Sequence, residues 1–117
     1  MAKKTPEQKE AERLRYIAAS GAANYAELEP FLSDSNQAIR AVAASNPDAD
    51  EAILDLFAND KFWGVRVQVI NNANVGISTL LRLLEPKLPR RGIVHHEARR
   101  KLESLGVTFN DDGMPDV

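Results

Sequence analysis

Asp34-Ser35-Asn36-Gln37-Ala38-Ile39-Arg40-Ala41-Val42-Ala43-Ala44-Ser45-Asn46-Pro47 is the stretch that decides how the rest of the chain is read. Ile39, Val42, Ala43 and Asn46 stand at i, i+3, i+4 and i+7, the spacing of one helix face. Asn46-Pro47 ends that helix, because the residue before a proline avoids helical angles. Twenty-six residues on, the pattern returns as Asp60, Val65-Arg66 and Val69-Ile70-Asn71-Asn72. Twenty-five residues back it reads Leu14-Arg15-Tyr16-Ile17-Ala18-Ala19-Ser20-Gly21, and a weaker copy is Ala98-Arg99, Leu102 and Leu105. Self-similarity at such a period marks a repeat architecture, in which one unit cannot bury its apolar face alone and neighbours stack to share a core.

The remaining segments fill in around these copies. Thr5-Pro6-Glu7-Gln8 is a helix start, with Thr as N-cap, Pro at the first helical position and Gln three residues after the cap. This first helix should stop at Gly21 in a left-handed conformation. Its polar first half and apolar second half suit a terminal cap, polar outside and apolar inside. Asn24 with Glu27 opens a short second helix carrying Leu28, Phe31 and Leu32. Ser33 or Ser35 caps the helix of the organising stretch, and Asp48 with Glu51 caps the next, whose apolar residues are Ile53, Leu54, Leu56 and Phe57. Between Phe62 and Ile70, Trp63, Val65, Val67 and Val69 alternate with Gly64, Arg66 and Gln68, which alone would suit a strand. Alignment with residues 34–46 favours a helix.

Regularity breaks after Leu84. Glu85-Pro86-Lys87-Leu88-Pro89-Arg90-Arg91-Gly92 holds two Pro and a Gly and reads as a loop. It lengthens the step between equivalent arginines from 26 residues (Arg40 to Arg66) to 33 (Arg66 to Arg99). A last helix from Ile93 to Leu105 stops at Gly106. The expected organisation is one domain over 1–106: a cap unit at 6–32, central units at 33–59 and 60–85, an inserted loop at 86–92 and a C-terminal helix at 93–106. Residues 107–117, aperiodic and acidic, are expected as a flexible tail.

The Asp-x-x-x-x-(Ile/Val)-Arg pattern at 34–40 and 60–66, with the small-apolar run and Asn46-Pro47, resembles the variant leucine-rich repeat. Its bacterial units of about two dozen residues pair an α-helix with a short α- or 3₁₀-helix. The pattern overlaps the HEAT repeat, but the period of about forty residues there is too long. The resemblance spans roughly 14–105 and weakens in the outer units, where Lys9 and Ile93 replace the Asp. It implies an all-α, short right-handed α-solenoid of about four helical repeat units, acting as a non-catalytic protein-interaction module. Some relatives carry a cysteine-rich cluster segment, which a chain without Cys lacks.

Composition bounds the function. The chain's 117 residues fit one domain, and 44% hydrophobic with 27% charged residues is ordinary for a soluble protein. No apolar run suffices for a membrane span, no signal-peptide core opens the chain, and Ala2 does not suggest myristoylation. A cytoplasmic location is expected. Without Cys there is no disulfide, thiolate metal site or thiol nucleophile. No phosphate-binding glycine loop or nucleophile elbow is present, so neither an enzyme nor a cofactor is expected. The net charge of −2 is unevenly spread. Residues 27–60 hold eight acids and one base (−7), whereas 87–101 hold six bases and one acid (+5).

Candidate binding residues follow from that asymmetry. Lys87, Arg90, Arg91, His95, Arg99 and Arg100 cluster on the inserted loop and last helix, where they could hold phosphates or an acidic protein. Nucleic-acid binding through 87–101 is therefore the alternative to protein interaction, weakened by the lack of interleaved aromatics. His95 and His96 point about 100° apart on a helix and make a poor metal pair. Trp63 reads either as a residue packed under the adjacent unit or as an exposed anchor for a partner. Arg15, Arg40, Arg66 and Arg99 fall in one row; either Arg40 and Arg66 pair with Asp34 and Asp60, of their own or an adjacent unit, and tie loops to helices, or the row lines a concave surface and grips an acidic ligand. Asn46, Asn71, Asn72 and Asn74 are expected to build turns and caps. Uncapped ends stacking between chains would give self-assembly.

Overall fold

The computed structural model describes residues 3–85 and 91–116. Within them the chain is all-α: α1 (Pro6–Gly21), α2 (Tyr25–Leu28), a 3₁₀ helix (Glu29–Ser33), α3 (Gln37–Ala44), α4 (Glu51–Phe57), α5 (Trp63–Asn71), α6 (Ile77–Arg82) and α7 (Ile93–Ser104). Trp63–Asn71 is a helix despite its alternating valines. Val65, Val69 and Ile70 are its buried residues, at helical rather than strand spacing. α1 packs on α3, α3 on α5 and α5 on α7, while α2 packs on α4 beside them. The Cα envelope is 52 × 34 × 17 Å, so the core is a seam between two rows. Leu28, Ile39, Ile53, Leu54, Phe57, Val65, Val69, Ile70, Leu80 and Leu102 fill it.

Most helix ends follow the sequence. Thr5 forms the full capping box with Gln8, and Glu27 N donates to Asn24 Oδ1. Two caps differ from expectation: Asn36 rather than Ser33 or Ser35 caps α3, and Asp50 rather than Asp48 caps α4. Asp34 selects Asn36 by accepting the Asn36 amide on its own carboxylate, which turns the chain there. Asp48 is drawn away because its amide is held by Asn46 Oδ1. Gly21 remains the last helical residue of α1 without a positive φ, whereas Gly106 (φ 94°) is left-handed. Val107 N reaches Leu102 O and Gly106 N reaches Glu103 O, a Schellman closure of α7.

Both ends carry arrangements that helical periodicity does not show. Leu14 and Ile17 face outward, and Ala19 is the single buried residue of α1. Beside Ala19, the Asn46 amide donates to the Ala19, Ser20 and Ala22 carbonyls. Within 107–116, part of the stretch expected as a flexible tail, the chain forms a turn with its own hydrogen bonds. Asn110 Oδ1 accepts the Asp112 and Met114 amides, Asn110 N donates to Met114 O, and Gly113 takes a positive φ. The resulting closed turn packs Val107, Phe109 and Met114 on the core, so α7 is followed by a hairpin in place of a second helix.

Candidate functional site

Two members of the arginine row, Arg15 and Arg40, are joints. Arg15 donates through Nε and Nη2 to Asp34 at 2.8 and 3.4 Å, and Arg40 grips Asp60 through the same edge at 2.7 and 3.3 Å. Each arginine reaches the acid of the following unit. Arg40 Nη1 also donates to Asp34 O, and Arg66 Nη1 to Asp60 O, within their own units. Every such Asp also accepts the amide of the residue that precedes its helix, Asn36 or Phe62. One carboxylate thus holds a neighbour's guanidinium and starts its own helix. Burial alone would raise the Asp34 carboxyl, but Arg15, the Asn36 amide and the Arg40 charge outweigh it and hold it below the usual carboxylate range. Arg66 has no ion pair among the described residues.

Asparagines form a second row of joints. Asn46 Nδ2 donates to Ala19 O, Ser20 O and Ala22 O, and Asn72 Nδ2 to Ala44 O and Asn46 O. Asn74 Nδ2 donates to Pro47 O and Ala49 O. These amides bond carbonyls at the end of the preceding unit's longer helix (Ala19, Ser20, Ala22, Ala44) and in the loop after it (Asn46, Pro47, Ala49). Beside them, Asp55 accepts from Thr79 and Arg82, joining α4 to α6. Three shallow clefts of about 410–490 Å³ follow the loop edge past Arg15, Ser35 and Arg40. Much of their polar lining is already taken up in these joints.

At the basic end the candidates separate. Lys87 and Arg90 lie outside the described residues. Arg100 is exposed and pairs loosely with Glu97. Arg99 lies over the Phe109 ring, 4.9 Å from its centroid, and near Glu103. Arg91 Nη1 donates to Asp112 O at 2.7 Å. His95 is not on the exposed basic face: it is 1% exposed, and its Nδ1 accepts the Glu85 amide at 2.8 Å. Burial first, then the charges of Arg91 and His96, depress its basicity, against weaker opposing effects of Glu85 and the Gly113 backbone. The Arg91–Asp112 contact could not be read from an aperiodic segment, although the alternation of Val107 and Phe109 was a usable hint.

Trp63, at the first position of α5, is 51% exposed and leans on Phe62 with ring centroids 5.6 Å apart, rather than packing under a neighbouring unit. Leu14, Tyr16 and Ile17 on α1 are 50–55% exposed. Among the described residues no three His, Asp or Glu are grouped to share a metal ion, and no helix is long and apolar enough to cross a membrane. Comparisons with protein-family models, curated proteins and solved structures return no match to this chain.

Proposed function

We propose that this chain is a non-catalytic protein-interaction module, built as a short right-handed α-solenoid of about four units similar to variant leucine-rich repeats. The observation that carries this reading is the use of the recurring polar residues. Arg15, Arg40, Asn46, Asn72 and Asn74 bond into an adjacent unit, which leaves little of the repeated chemistry for a substrate. Large apolar side chains meanwhile stand half in water on α1. Scattered exposed apolar residues are ordinary, but Leu14 and Ile17 share one helix face with Ala18 and Gly21, as an interface stripe does.

The test compares the wild type with a Leu14→Glu/Ile17→Glu double variant that leaves every joint intact. Immobilised wild type should retain a protein partner at near-stoichiometric amount from cells that make the chain, and the variant should lose it while keeping its helical circular dichroism. Equal retention by both, or none by either, would sink this reading. Sedimentation of the wild type alone separates partner binding from self-association. For the nucleic-acid alternative, a low-salt gel shift should show no complex below about 100 μM, the weak limit of nonspecific binders.

A further inference from the structure

α1 turns one apolar face away from the rest of the chain. Leu14, Ile17, Ala18 and Gly21 follow at i, i+3, i+4 and i+7 and are all exposed, while Ala19 is buried on the other side. Gly21 serves nothing inside the chain that a larger residue could not. Its φ is not positive, and beyond its own helix and chain neighbours a Cβ there would meet nothing within 4 Å. Glycine is unfavourable in a helix, so a bare backbone at this exposed position suits a close approach from outside.

The order of sizes along the stripe is self-complementary: large, large, small, small. With two copies of α1 antiparallel about a two-fold axis between Ile17 and Ala18, Leu14 faces the partner's Gly21. Ile17 then faces the partner's Ala18. Each large side chain meets a small one, the alternation that lets facing layers interdigitate. The same arrangement brings the exposed Arg13, on the flank of the stripe, beside the last turn of the other helix. That turn is the negative end of the helix dipole and carries no basic residue of its own.

At the other end of the α1–α3–α5–α7 row there is no matching surface. Val107, Phe109 and Met114 of the hairpin pack on the core there. Ile93 and Leu105 are half exposed but stand at opposite ends of α7, with Glu97 and Arg100 between them. A single self-complementary patch closes a dimer, whereas open-ended stacking needs two different patches.

We propose that α1 pairs with α1 of a second copy of this chain, antiparallel and two-fold, through Leu14, Ile17, Ala18 and Gly21. This rests on the interaction reading of α1 and names the partner at that face. The 16-residue helix is about 24 Å long. A contact along one such helix is smaller than a standard interface, so the Kd expected lies between about 1 and 100 μM.

Sedimentation velocity of the intact chain from about 1 to 500 μM gives the readout. The wild type should pass from monomer to dimer and stop there. Leu14→Glu/Ile17→Glu should weaken association by about tenfold or more. Gly21→Leu is the sharper variant, since the chain has room for the side chain and the helix favours it. It would fill the place of the partner's Leu14 and should also weaken the dimer by about tenfold or more. A face that is only sticky would associate more strongly with the added leucine.

The dimer is overturned if the wild type stays monomeric to about 500 μM or grows past two copies. It is also overturned if either variant, folded by circular dichroism, associates as well as the wild type. Should one variant not fold, the other decides. A monomeric wild type that retains a different protein, lost in Leu14→Glu/Ile17→Glu, overturns the dimer and leaves the interaction reading standing. A monomeric wild type that retains nothing overturns both.

Discussion

The joint between α3 and α5 and the joint between α5 and α7 both bury apolar faces, but their polar content differs. At the first, Arg40 holds Asp60, and Asn72 and Asn74 cap the carbonyl ends of the preceding unit. At the second, Arg66 meets no carboxylate among the described residues, and Glu85 takes the Asp role by accepting the Gly92 amide at 2.8 Å before α7. Leu105 stands 33 residues after Asn72, where no side-chain amide is available. Apolar packing therefore suffices to hold neighbours together, and the polar rows add spacing and register. Where the rows stop, the chain lengthens its loop and sets Arg91 and His95 in new surroundings.

Substitutions can break that contrast. Arg40→Ala should cost most, about 3 kcal/mol, because it strands the largely buried Asp60 carboxylate; urea unfolding would measure it. Asn72→Ala should follow at about 2 kcal/mol, since it removes the buried side-chain donor to Ala44 O and leaves Asn46 O with the Ala49 amide alone. Arg66→Ala, which removes a single bond to Asp60 O, should cost about 1 kcal/mol or less. A loss for Arg66→Ala equal to that for Arg40→Ala would erase the distinction between the joints.

Acid sharpens the same contrast. The depressed Asp34 carboxyl contributes stability that is present above its unfolded value, near 3.9, and is lost as pH falls through its lower folded value. His95, also depressed, contributes stability that is complete above its unfolded value near 6.5 and declines as pH falls toward the folded one. Thermal melts across mild acid should therefore weaken the last joint first, and His95→Gln should remove that earlier decline. Melts that fall only below the carboxylate range in both chains would contradict this.

The sequence carried the joints more clearly than the ends. Arg40, Asp60 and Asn46 sit at fixed offsets from a helical stripe, so repetition favoured a stacking role for them over a ligand-gripping arginine row. That Arg40 reaches forward to Asp60, keeping only the Asp34 carbonyl of its own loop, depends on the path of the loops and has no local signature. Three neighbouring polar residues could each have capped α3, and the choice fell to whichever amide Asp34 captured. Helical period told which α1 residues share a face, but not that Ala19 would turn inward. The Asn46 amide that meets the Ala19 carbonyl lies twenty-seven residues away, beyond the reach of local periodicity. His95 read as part of a basic surface because charge counts carry no direction, and the Glu85 amide that orients it lies across the inserted loop.

The short reach of the joints has a kinetic consequence. Side-chain ties between neighbouring units span 19 to 28 residues, from Arg15–Asp34 to Asn72–Ala44. Each closes a loop of similar length, and the entropy of closure changes only slowly with length, so no single joint is much harder to form than another. If the proposed solenoid reading holds, a chain with contacts this local should fold quickly, starting from any adjacent pair and growing toward both ends. α1, anchored by one buried alanine and its ties to α3, would then be the last element to join and the first to exchange its amide protons.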